Sequence, residues 1–141
     1  MNFIKTASLT CLLFCFLTSD VQGQNKNSIL RSAHSIFIDA KSGFMNAQAF
    51  ERELLKQPEF DAWGLSLIRK KEDADLIVEV YRKKWTTRFT ITVMDPSAKF
   101  VLATCEETSL GGEIEPKLAK CLIKILHSAR VKYNSDEDAE R

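Results

Sequence analysis

Leu76-Ile77-Val78-Glu79-Val80-Tyr81 and, after a short break, Thr87-Arg88-Phe89-Thr90-Ile91-Thr92-Val93-Met94 decide the fold of this chain. The first run is rich in β-branched and aromatic side chains, the composition that fits a pleated, half-buried surface. The second alternates, with Phe89, Ile91 and Val93 on one face and Arg88, Thr90 and Thr92 on the other, as successive strand residues point to opposite sides. Asp95-Pro96-Ser97-Ala98-Lys99 reads as a hairpin turn, with Pro96 pre-setting φ, and Phe100 to Cys105 as the strand that pairs back. Upstream, Lys71 to Asp75 is a charged turn preceded by a short strand, Leu65-Ser66-Leu67-Ile68. Four strands joined by short turns predict an antiparallel meander.

Working outward, Ser35-Ile36-Phe37-Ile38-Asp39 is a fifth apolar, β-rich run, first in chain order. Asn46 is an N-cap candidate for an amphipathic helix in which Ala47, Phe50, Leu54 and Leu55 recur at helical spacing; Pro58 should end it. Phe60 and Trp63 are expected to cover its end before Gly64 redirects the chain. Pro116 suits the first turn of a last helix, in which Leu118, Cys121, Leu122, Ile125, Leu126 and Ala129 form one stripe. The expected class is α/β of the α+β type: a two-layer sandwich in the order β-α-β-β-β-β-α, with a mostly antiparallel sheet and two helices on one face.

The amino terminus supplies an address. Lys5 is a positive n-region, Ala7 to Leu17 is an apolar stretch, and Val21-Gln22-Gly23 resembles a signal-peptidase site. Eleven residues are too few to cross ~30 Å of hydrocarbon, so cleavage is favoured over a retained anchor. Residues 1–23 are therefore expected to be a signal peptide, 24–33 a loose polar arm, 34–133 a single α/β domain and 134–141 an acidic tail. The product is expected to be periplasmic or secreted, with no stable membrane span after cleavage.

Removing 23 of the 141 residues takes away Lys5 and Asp20 and leaves the net charge at +1. That balance argues against nucleic acid as a partner, and against a purely electrostatic membrane anchor. Cys105 and Cys121 remain after cleavage. In an oxidising compartment they form a disulfide or stay as two buried thiols, and the sequence leaves both open; a redox pair lacks the close Cys-x-x-Cys spacing.

Three segments, Lys41-Ser42-Gly43-Phe44-Met45-Asn46-Ala47, Ala74-Asp75-Leu76-Ile77-Val78-Glu79 and Pro116-Lys117-Leu118-Ala119-Lys120, resemble a family of small exported bacterial proteins of unknown function. The strand-helix entry and the Ala-Asp-Leu strand are more loosely similar to periplasmic domains such as the TolB amino-terminal domain. The resemblance implies envelope assembly and protein contacts, and brings no catalytic residues with it.

The sequence contains no nucleotide cradle, no serine elbow and no paired metal-binding histidines, so no cofactor is expected. Glu72, Asp73 and Asp75 read as a solvated hairpin turn. Glu113 and Glu115 suit a helix N-terminus. Arg82-Lys83-Lys84 and Arg88 flank Trp85, a pattern that binds anionic polymers or, more often, keeps a strand edge soluble. If Cys105 faces the helices, then Ile77, Tyr81, Thr90, Thr92, Phe100 and Leu102 form a semi-apolar open face suited to docking. The expected role is a non-enzymatic binding protein of the bacterial cell envelope, its partner another envelope protein or a second copy. The alternative is a small envelope enzyme or ligand carrier with a site near Asp39, Gly111-Gly112 and His127.

Overall fold

The computed structural model describes the backbone of residues 19–139 and the side chains of residues 26–131. Ten elements follow in order: helix α1 (Ser19–Ser32), strand β1 (Ser35–Ala40), helices α2 (Ala47–Leu55) and α3 (Pro58–Ala62), strand β2 (Ser66–Leu67), a 3-10 turn (Lys71–Asp73), strands β3 (Leu76–Arg82), β4 (Arg88–Met94) and β5 (Val101–Thr108), and helix α4 (Glu115–Ala139). The class is mixed α/β, as the patterning of strands and helices predicts.

The sheet order is β2-β1-β3-β4-β5. β1 lies between β2 and β3 and runs parallel to both, while β3-β4-β5 is an antiparallel meander. The expected four-strand meander and mostly antiparallel sheet are thus corrected: the sheet is mixed, and β2 pairs with β1. Asp75 reinforces the β1–β3 pairing. Its carboxylate accepts hydrogen bonds from the backbone N–H groups of His34 and Ser35, both at 2.9 Å, and its own N–H donates to the Ser35 carbonyl. These bonds lash the start of β3 to the start of β1. β2 is only two residues long, so the 3-10 turn passes below the beginning of β1 without a long crossover. The acidic turn is a strand connector across β1 and no hairpin.

Helices cover one face only. Ile36, Val78, Val80, Phe89, Ile91 and Val93 point into a single core cluster with Phe50, Leu54, Leu118, Leu122 and Leu126 from α2 and α4. The Asn46 side chain accepts from Ala49 N–H at 3.1 Å and so caps α2 as its residue type predicts. Glu115 in the first turn of α4 accepts from Asn46 N–H at 2.9 Å, tying the two helix starts together. Pro58 does more than end α2: it occupies the first turn of α3, where its missing N–H costs nothing. Gly64 leaves α3 at φ +62, a conformation that suits glycine.

One terminal expectation is corrected. Residues 24–33 are no loose arm: they belong largely to α1, whose Ile29 and Leu30 pack on the core together with Ala33. The Arg130 guanidinium fixes that end by donating to the Ala33 carbonyl at 2.8 Å. These contacts lie beyond Gly23, so removal of residues 1–23 would leave them in place. Residues 1–18, most of the expected signal peptide, lie outside the described residues. At the other end α4 continues to Ala139 through most of the expected acidic tail, because no Gly or Pro after Pro116 stops it.

Candidate functional site

The face opposite the helices is open. Register places Phe37 and Asp39 of β1, Ile77, Glu79 and Tyr81 of β3, Thr90, Thr92 and Met94 of β4, and Thr104 and Glu106 of β5 on it. Ile77, Tyr81, Thr90 and Thr92, four of the six residues expected to share this face, do share it. Phe100 and Leu102 do not. A register shift at Val93/Met94 lets Ala103 and Cys105 keep the inward phase while Leu102 turns into the core and Phe100 packs against it. The face is also more polar than expected. Lys41 Nζ lies 2.5 Å from Glu79 and 3.9 Å from Asp39, and Lys71 Nζ lies 3.4 Å from Asp39. Thr90 and Thr92 are buried although no helix covers them, because β4 has a strand on either side.

Three exposed aromatic side chains, Phe44, Tyr81 and Trp85, gather at one end of the sheet, while exposed Leu55, Val101, Leu110 and Val131 lie outside that group. Parallel pairing of β1 with β3 sets Ala40 opposite Val80, and Lys41 N–H donates to the Val80 carbonyl. The loop leaving β1 and the hairpin leaving β3 therefore emerge side by side. Together they line an open groove of about 770 Å³ between Lys41-Ser42-Gly43-Phe44 and Tyr81-Arg82-Lys83-Lys84-Trp85. Phe44 is 75% exposed and Trp85 101%. The Arg82 guanidinium stacks over the Phe44 ring at 4.3 Å and is locked by its Nε donating to the Thr86 carbonyl at 2.6 Å.

Trp85 occupies the third position of the turn Lys83–Thr86, closed by Thr86 N–H donating to the Lys83 carbonyl. Its φ is +61, a left-handed conformation unusual for a bulky residue. Lys83 and Lys84 have no carboxylate partner among the described residues. Lys41 does, and its hydrogen bond to Glu79 holds the ammonium pKa above its ordinary value. The groove lining carries ammonium, guanidinium, hydroxyl and aromatic groups and no carboxylate or carboxamide. Such a wall donates hydrogen bonds and offers few acceptors, so it suits an anion with an apolar part.

The other candidates fall elsewhere. Asp39 is on the open sheet face, Gly111-Gly112 in the loop before α4, and His127 exposed on α4 with its ring 6.2 Å from that of Trp63. The sheet separates Asp39 from α4, so these three do not converge. No group of three or more His, Cys, Asp or Glu side chains able to hold a metal exists among the described residues. Cys105 and Cys121 have Cα atoms 6.5 Å apart and their sulfurs at bonding distance, joining β5 to α4. Residue spacing singled out the Arg82–Trp85 stretch but not its meeting with Lys41–Phe44, which depends on the β1–β3 pairing. Comparison with known proteins finds no matching family, no matching curated protein and no matching solved structure.

Proposed function

We propose that this chain is an exported, non-enzymatic binding protein of the bacterial cell envelope, and that it works through the aromatic and cationic end of its sheet. One observation carries the reading. Trp85 is wholly uncovered and held in a left-handed backbone conformation. Nothing in the fold gains from an indole there, and a bulky side chain costs about 1–2 kcal/mol in that conformation. Exposed Lys99 is left-handed too, at φ +53, so the backbone alone does not mark function; a large apolar indole left wholly uncovered at such a position supports a functional constraint. The unpartnered Lys83 and Lys84 ammonium groups beside it point to an anionic partner. The amino-terminal segment supports export, and a Cys105–Cys121 bridge suits an oxidising compartment. No helix among the described residues is long and apolar enough to cross a membrane.

Envelope fractionation tests the proposal. The full chain is expressed in bacteria with its own leader, alongside a Trp85→Gly/Lys84→Ala variant. Native protein is expected in the particulate envelope fraction and the variant in the soluble periplasmic one. Identical distribution of the two would overturn the assignment of this surface.

A further inference from the structure

We propose that the surface bound by this end of the sheet is an anionic lipid bilayer, which the protein meets as a peripheral, reversible anchor. This inference rests on the binding role assigned above and names its partner.

The geometry favours a bilayer over a groove-bound polymer on three counts. Trp85 stands out from the tip of the β3–β4 hairpin at full exposure, whereas a stacking platform for bases or sugars needs a ring supported from behind. One face of Phe44 is already taken by the Arg82 guanidinium at 4.3 Å, which leaves its edge and far face for apolar contact. The groove wall has no carboxylate or carboxamide to receive sugar hydroxyls. What remains is an amphipathic tip: two aromatic side chains at the extremity, with Arg82, Lys83 and Lys84 set beside them. Aromatic rings of this kind settle at the headgroup level of a membrane, and lysines and arginines next to them meet lipid phosphates. The chain's overall charge of +1 is no obstacle: Glu79 and Asp39, on the two strands that carry the groove, are already paired with Lys41 and Lys71, and Glu106 and Glu107 stand on β5, on the far side of β4 from β3. Arg82, Lys83 and Lys84 concentrate positive charge at the tip, and at ordinary ionic strength only charges within about 10 Å of the lipid surface matter.

The test is co-sedimentation of the purified exported chain with vesicles of phosphatidylglycerol or of phosphatidylcholine. Binding to the anionic vesicles is expected, with a blue shift of Trp85 emission, and much weaker binding to the zwitterionic ones. Each cation near an anionic surface contributes about fivefold in affinity, so Lys83→Ala/Lys84→Ala should weaken binding about 30-fold. Trp85→Gly should weaken it about tenfold while its circular dichroism stays native. Lys99→Ala, in the turn at the other end of β4, should change nothing. Absence of binding to phosphatidylglycerol, or equal binding by native and double-variant protein, overturns the lipid assignment. Binding to single-stranded DNA or a soluble sulfated glycan without vesicle binding overturns it in favour of a polymer. Envelope retention that depends on Trp85 without vesicle binding sinks only the lipid inference; loss of both sinks the binding reading as well.

Discussion

Replacing Trp85 by glycine should make this protein more stable. At φ +61 any side chain with a Cβ strains against the following carbonyl, at a cost of about 1–2 kcal/mol. Glycine removes that cost but adds unfolded-chain entropy of roughly 0.5–1 kcal/mol. The indole is fully exposed, so its loss forfeits no buried area. The net is a gain of about 0.5–1 kcal/mol, which for a domain of this size raises Tm by a few degrees, about 4 °C. Trp85→Ala keeps the Cβ and should be neutral. Urea unfolding followed by Trp63 fluorescence reads both variants, since Trp63 packs within 5.0 Å of the Arg130 guanidinium and reports on the core side. A loss of more than about 1 kcal/mol in both variants would refute the reasoning, because it would mean the indole packs on the fold.

Other expectations follow from the same contacts. Reduction of the Cys105–Cys121 bridge frees a loop with a sequence separation of 16 and should cost about 3 kcal/mol, read as a shift in urea midpoint with and without dithiothreitol. Leu122→Ala empties a fully buried position on α4 and should cost about 2–5 kcal/mol, whereas the same change at exposed Leu110 should cost almost nothing. Burial alone would raise the Asp75 carboxyl pKa, but the hydrogen bonds from His34 and Ser35 outweigh it and hold it below the usual range. A group of that sign adds stability that is complete above its unfolded pKa, about 3.9, and is lost as pH falls through the lower folded value. Asp75→Ala should therefore destabilise by about 1 kcal/mol at pH 7 and by less below pH 3, measured as chemical denaturation at the two pH values.

Much of the architecture was legible because it is local. Alternation over Arg88 to Met94 marks a strand, the Asn46 cap marks a helix start, and the stripe from Leu118 to Ala129 marks the face of α4 that meets the sheet. Sheet order was not legible, since the β1–β3 ladder pairs residues 40 apart in sequence, as does the Asp75 carboxylate that accepts from Ser35. Residues 24–33 read as an arm because Ile29 and Leu30 are a short apolar signal in a polar run, and the elements α1 packs on, α4 and β5, lie far along the chain. The candidate site was half legible. Basic residues around Trp85 were plain in the sequence, but edge protection was the favoured account of them. The β3–β4 hairpin joins two interior strands, so there is no edge to protect, and the aromatic partner Phe44 arrives from a loop some 40 residues earlier. The face expected from alternation kept Ile77, Tyr81, Thr90 and Thr92, and lost Phe100 and Leu102 to a bulge that alternation does not signal.

The most direct measurement places a photo-reactive amino acid at position 85, and in a second version at position 99, in the exported chain within living envelopes. Illumination should yield adducts from position 85 and none from position 99. No adduct from position 85, or equal yields from the two ends of the sheet, would contradict the claim that this tip is where the protein meets its partner.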